Sequence, residues 1–256
     1  MCKVIAIASG KGGTGKTTIA AALSSCLAVL GNEYDPKLKV LCIDFDAQLR
    51  NLDLALCMTD FTVMDFTDVI SGRTDLVSAC SESPKIHNLF FLTAPHDGLP
   101  NYVNESAIKK MFDNIRSSFD YCIIDCPAGI GSEFKLAHSN VDMSIIVSTG
   151  DIASIRDAGR TASAVRELGV SNIRLLVNRV KPRDLKRIKT NIDDIIDTIG
   201  VQLLGIIPED INVFLALHKN TPLILYKKRR SAYDFLDAAR RIAGDDIPLQ
   251  QYKRIL

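Results

Sequence analysis

Residues 9–18 read SGKGGTGKTT and satisfy the pattern G-x-x-x-x-G-K-[ST], with Gly10, Gly15, Lys16 and Thr17 in the fixed places. Each residue type has a task in holding a phosphate chain. Gly10, Gly12, Gly13 and Gly15 permit the tight backbone reversal that turns successive N–H groups inward. Those N–H groups, including those of Thr14 and Thr18, act with the positive end of the next helix to hold phosphate oxygens. Lys16 is placed to neutralise β- and γ-phosphates, and the Thr17 hydroxyl to ligate Mg²⁺. The ligand this pattern implies is a nucleoside phosphate with magnesium.

Acids follow apolar runs elsewhere in the chain. Residues 121–129 read YCIIDCPAG, and an acid at such a strand end holds Mg²⁺ through water; Asp125 is the candidate. Residues 44–54 read DFDAQLRNLDL, where Asp44 and Asp46, one residue apart, can face one solvent-side site. A carboxylate there need not be a strong base, because phosphoryl transfer depends mainly on positioning and electrostatics. Asn178 ends the run LLVN, and its amide carries both a donor and an acceptor, which suits a purine edge. Pro208 and Asp210 close the run GIIPED.

These residues need elements that converge. Residues 3–8 (KVIAIA) are a short apolar run that enters the loop as a strand, and residues 17–30, rich in Ala and Leu, leave it as a helix. Further strands are predicted at 40–43, 89–93, 121–124, 143–148, 173–177 and 203–207. Helices are predicted at 63–70, 105–118, 154–168, 184–199 and 231–243; the second carries Ile108, Met111, Phe112 and Ile115 at helical spacing. The alternation predicts an α/β fold: a mostly parallel twisted sheet with crossover helices on both faces, in three layers. In such a sheet, ligands bind beyond the carboxyl ends of the strands, where the loop, Asp44, Asp125, Asn178 and Pro208 all fall.

The loop has a second lysine, Lys11, that the general pattern does not require. With it the chain resembles the deviant Walker A ATPases, whose signature is K-G-G-x-G-K-T-T, within the P-loop NTPases. RNLDL at 50–54, DCPAG at 125–129, IRDAG at 155–159 and GIIPED at 205–210 resemble the MinD branch of the MinD/ParA family. The resemblance implies ATP hydrolysis to ADP with Mg²⁺, and a catalytic set of Lys11, Lys16 and Asp46. Lys11 would reach the nucleotide of a partner subunit in an ATP-dependent homodimer. Asp44 would join Thr17 and Asp125 around the metal and its water shell, and Asp46 would orient the attacking water. Asn178, with the segment of Pro208 and Asp210, would contact adenine. The resemblance also implies a MinC-like division inhibitor docking near residues 151–160, a MinE-like or equivalent topological regulator, and reversible attachment to the inner face of the membrane. The chain departs from the branch at Ala47, Gln48, Cys126, Ala153 and Gly159.

Composition narrows the alternatives. The 256 residues, 47% hydrophobic with no low-complexity linker, predict one sizeable core. The division expected is an ATPase domain over 1–248 and a short amphipathic tail over 249–256, with Leu249, Tyr252, Ile255 and Leu256 on one face. A formal net charge of +1 gives no field that drives the chain onto nucleic acid. Seven cysteines without a C-x-x-C pair suggest free thiols in a cytoplasmic setting. The opening apolar run is read as a strand rather than a leader, and no run approaches the ~20 apolar residues of a membrane span. Basic stretches at Lys181, Arg183, Lys186, Arg187 and Lys189, and at 227–230, are read as solvated faces or as contacts for phosphates. The rival functions are a ParA- or FlhG-like positioning ATPase acting on DNA or another assembly, and a metal-carrier or electron-transfer ATPase, which needs paired thiolates.

Overall fold

The computed structural model describes residues 2–59, 64–187, 191–226 and 231–249. Eight strands form one sheet: β1 (Lys3–Ala8), β2 (Val40–Asp44), β3 (Ser81–Glu82), β4 (Leu89–Leu92), β5 (Tyr121–Asp125), β6 (Met143–Ser148), β7 (Ile173–Val180) and β8 (Gln202–Pro208). Their spatial order is β3-β4-β2-β5-β1-β6-β7-β8, so β1 and the loop it feeds lie between β5 and β6. Every pairing is parallel except that of β3 with β4 at the edge. The central strands read as unbroken apolar runs because helices cover both faces.

Side-chain alternation sorts the core. Ile5, Ile7, Ile145 and Val147 face one side, with α1 (Lys16–Tyr34), α2 (Leu52–Leu56), α11 (Leu223–Tyr226) and α12 (Ser231–Ala243). Val4, Ala6, Leu41 and Ile124 face the other, against α3 (Phe66–Ile70), α4 (Leu76–Ala79) and α5 (Glu105–Ser118). Ala8, Ile146 and Leu175 extend that second face under α7 (Ile152–Glu167), α8 (Pro182–Arg187) and α9 (Ile192–Ile199), with Phe134 of α6 (Ser132–His138). Val213 and Ala216 of α10 (Ile211–His218) line a small cavity together with Ala21 and Ala22 of α1. α1 lacks a strong apolar stripe because it is buried on most sides, between the sheet and α12.

The fold class and all seven predicted strands are present, and several boundaries differ. α1 begins at Lys16 and runs on to Tyr34. The strand expected at 173–177 extends to Val180, which puts Asn178 inside it rather than after it. The single helix expected at 184–199 is two, because Asn191 and Asp194 form a capping box that starts α9 afresh. The helix expected at 63–70 starts at Phe66, where Asp65 caps it, and 60–63 lie outside the described residues. β3, α2, α4, α6, α10 and α11 have no counterpart among the predicted elements; each is short or lacks a clear period. All seven cysteines are free, and burial raises the thiol pKa of both Cys122 and Cys126. Among the described residues, no helix is long and apolar enough to cross a membrane, and no group of three His, Cys, Asp or Glu is placed to hold a metal. Of the predicted tail only Leu249 is described; 250–256, like Lys189 and the basic residues 227–230, lie outside the described residues.

Candidate functional site at the carboxyl rim of the sheet

β1 ends at Ala8, and the chain turns through the glycines into α1. Gly13 has φ +80 and Gly15 φ +93, left-handed conformations that favour glycine. A side chain at Gly12 or Gly13 would meet nothing within 4 Å, so the outer turn of the loop is open. Gly10 is required for a different reason. A Cβ there would lie 2.7 Å from the Asp157 carbonyl, so this glycine lets the loop pack against α7.

α1 starts at Gly15 with no side-chain cap. Its first-turn N–H groups therefore face the loop without the partner that a capping residue would supply. Lys16 and Thr14 are buried beside them, and the Thr14 hydroxyl oxygen is buried with no hydrogen-bond partner. This is a cradle that an anion would complete.

The acids stand next to it. Asp44 and Asp125 are register partners at the tips of the adjacent parallel strands β2 and β5. Both are buried, 1% and 2% exposed. Burial pushes Asp125 up to about 7; Asp44 beside it adds to the rise, while the Thr17 hydroxyl and the Lys16 ammonium pull it down. One oxygen of Asp125, Oδ1, is buried without a partner. Burial also raises Asp44 to about 6, against the pull of two backbone N–H donors, Asp46 at 2.9 Å and Leu52 at 3.2 Å. Two neighbouring buried carboxylates, one with an orphaned oxygen, beside a threonine hydroxyl, are a donor set suited to a hard divalent cation. The residues present fit Mg²⁺.

Asp46 is half-buried at the rim, and its Oδ1 accepts from the N–H groups of Gln48 and Leu49, which ties the carboxylate to the turn that follows β2. That segment is pinned just after Asp44, where Phe45 stacks on Phe66 with ring centroids 4.8 Å apart. Such a pair contributes about 1 kcal/mol beyond burial. Glu133, at the start of α6, is raised by burial and by Asp46, so the segments after β2 and β5 face each other electrostatically.

Beside the loop lies a cleft of about 550 Å³, lined by Lys11, Gly12, Gly13, Thr14, Thr149, Asp151, Ile152, Arg179, Lys181 and Glu209. Lys11 is exposed and pairs at 3.4 Å with Asp151, the N-cap of α7. Asn178 is buried, and its Nδ2 donates to the Thr14 carbonyl at 2.8 Å. Pro208 pairs with Val180 at the end of the sheet. Asp210 turns away from the cleft. Its carboxylate caps α10 through Asn212 and accepts from the Ser231 hydroxyl at 2.9 Å, while the neighbouring Glu209 faces the cleft. Sequence reasoning misses Arg179, Glu209 and Glu133. The first two adjoin Asn178 and Pro208, and that adjacency is the only signal of them in the chain.

An uncapped helix start behind a glycine loop, with two acids at neighbouring strand tips of a mostly parallel sheet and a threonine hydroxyl bonded to one of them, defines a phosphate-loop nucleoside triphosphatase. Residues 5–223 match the family described as the CobQ/CobB/MinD/ParA nucleotide binding domain, and the chain belongs to that family of nucleotide-binding ATPases. Its similarity is to the MinD branch. The septum site-determining protein MinD of Bacillus subtilis (strain 168) is 36% identical over 253 residues, 98% of this chain and 92% of that protein. The MinC:MinD cell division protein complex of Aquifex aeolicus contains a chain that superposes with a TM-score of 0.87 at 34% identity, covering 97% of this chain and 98% of that one. MinD of Pyrococcus horikoshii OT3, solved with Mg-ADP, superposes with a TM-score of 0.80 at 27% identity, covering 96% of this chain and 100% of that one.

Proposed function

We propose that this protein is an ATP-dependent molecular switch that cycles between an ADP-bound or free monomer and an ATP-bound homodimer. The observation that carries the reading is the bare start of α1 set against the buried pair Asp44 and Asp125. In this reading Gly10, Lys11, Gly12, Gly13, Thr14, Gly15, Lys16, Thr17 and Thr18 hold the triphosphate. Thr17, Asp44 and Asp125 hold Mg²⁺ and its water shell. When bound, the ion neutralises charge that develops on the phosphate oxygens. Asp46 positions the attacking water, and its tether to Gln48 and Leu49 fixes the carboxylate in place. The cleft beside Glu209, next to Pro208, receives the adenine.

Lys11 is exposed and extends from the loop, which suits contact with a second subunit's nucleotide. Leu49, Leu54, Ile130, Ile152, Ile211 and Phe214 are large exposed apolar residues in segments that follow strand tips around the rim. A second copy set face to face would cover them. The chain likeness to MinD in a MinC:MinD complex supports a MinC-like division inhibitor as partner, and in this reading it docks on α7. A MinE-like or equivalent regulator would accelerate hydrolysis and return the protein to the cytoplasm. The body to Pro248 is the ATPase, and residues 249–256 attach it to the inner face of the membrane. One such tail binds weakly, and two on a dimer gain by acting together. Nucleic acid is not a partner in this reading.

Light scattering and liposome sedimentation test it. The full chain is expected to dimerise and sediment with ATP but not with ADP, and a chain ending at Pro248 to stay in solution. Equal sedimentation of the two chains removes the tail from the reading. ATP-dependent binding to DNA rather than liposomes replaces it with the ParA-like alternative.

A further inference from the structure

Two consecutive residues at the tip of β7 are aimed at the backbone of the phosphate loop. The ladder between β7 and β8 is irregular between Val177 and Val180, so Asn178 and Arg179 lie in the disturbed stretch. Arg179 takes φ +55, a left-handed conformation that is strained for a non-glycine residue. An irregularity of this kind bends a strand and re-aims its side chains. Here both turn toward the loop. Asn178 Nδ2 donates to the Thr14 carbonyl at 2.8 Å, and Arg179 Nη1 reaches the Gly13 carbonyl at 3.5 Å. The fit is close. A Cβ on Gly15 would lie 2.5 Å from Asn178 Nδ2, so Gly15 must be bare for Asn178 as well as for its own φ.

The physical need is plain. A loop that points its N–H groups inward at an anion must turn its carbonyls outward. Thr14 is buried, so its outward carbonyl needs a protein donor in place of water. We propose that Asn178 is a positioning residue for the phosphate loop, acting through the Thr14 carbonyl, with Arg179 as a second and weaker brace. Its amide then strengthens the binding of a triphosphate chain whatever base is attached. The inference rests on the reading of the loop as a nucleotide site, and it is distinct from a contact with adenine. A base contact is felt only by ligands that carry a base; a brace is felt by the phosphate chain alone.

The test is calorimetry on the full chain with Mg²⁺, comparing ATP with tripolyphosphate, which has no base. Asn178→Ala is expected to weaken both ligands by the same factor, roughly tenfold for one lost buried hydrogen bond. Asn178→Asp keeps the shape but sets an acceptor against the Thr14 carbonyl, and is expected to weaken both by more. Arg179→Ala, at an exposed residue, is expected to weaken both about twofold, as suits a long bond. A loss confined to ATP overturns the proposal in favour of a base contact, and unchanged binding of both overturns it outright. If the Asn178 variants do not fold, the Arg179→Ala pair decides by the same criterion. Lys16→Ala is the separate control: if it keeps full ATP affinity, the nucleotide reading itself fails, whatever Asn178 does.

Discussion

α1 and α7 leave the same rim of the sheet and begin in opposite ways. α7 starts at Asp151, whose carboxylate accepts from the Ser154 N–H. α1 starts at Gly15 and has no side-chain cap. α7 satisfies an orphan donor within its own sequence and puts a negative charge at its positive end. α1 leaves its donors facing a glycine loop, with Lys16 buried beside them. α5, α9 and α10, capped by Asn104, Asn191 and Asp210, follow the pattern of α7. A self-capped start is stable and has less to offer an anion; a bare start next to buried acids offers donors to an anion and acceptors to a cation. The contrast also places Lys11, which spans it: the extra cation of the bare loop rests on the carboxylate that caps α7.

The contrast breaks most visibly at Lys16. Lys16→Ala is expected to lose at least about a hundredfold in ATP affinity, roughly 3 kcal/mol, with the fold intact by circular dichroism. Retained affinity would mean that the bare start does not hold the phosphates.

Asp125 gives the next largest effect, and its sign follows from proton binding. The folded protein raises this carboxyl from 3.8 to about 7, so between those values the native state holds more protons than the unfolded one. Stability without ligand is therefore greatest at low pH on this account and falls as pH rises through about 7. Asp125→Asn is expected to be more stable than the parent chain at pH ~8 by about 2 kcal/mol, with the difference fading toward pH ~4. The same variant is expected to lose the Mg²⁺-dependent part of its stabilisation by ADP. Urea melts across pH, with and without Mg-ADP, read both effects. A variant less stable than its parent at high pH would show that the orphaned oxygen is not a strain on the fold.

Asp151→Ala gives the smallest change. Loss of this cap is expected to cost about 1 kcal/mol and to lower the melting temperature by about 2–4 °C. ATP affinity of the monomer is expected to stay within about twofold, since the capped helix does not hold the ligand. A loss as large as that of Lys16→Ala would erase the distinction between the two helix starts.

Much of the site is legible in the chain alone. The loop and its exit helix follow from fixed spacing, and Asp125 and Asp44 from apolar runs that stop at an acid. Asn178 stands out for one role, a base contact after the strand, and the structure gives it a bond to the loop from inside the strand. Gly10 reads as part of the cradle, and its immediate constraint is the approach of α7. Asp210 reads toward adenine, and its carboxylate serves α10 and Ser231. In each case the residue is visible in the chain and its direction is not. The short elements α2, α6 and α10 escape sequence reasoning because five to eight residues carry too little period to separate helix from loop.

By itself the sequence determined the alternation of strand and helix, the glycine loop and the residue types at the strand ends. Those depend on local periodicity and on which backbone conformations a residue tolerates. Tertiary structure alone decided that Asp44 pairs in register with Asp125, that Arg179 turns left-handed, and that Asn178 bonds a carbonyl 164 residues away. Strand order, register and the direction of a side chain at an irregular strand end are set by long-range packing, and no local pattern encodes them.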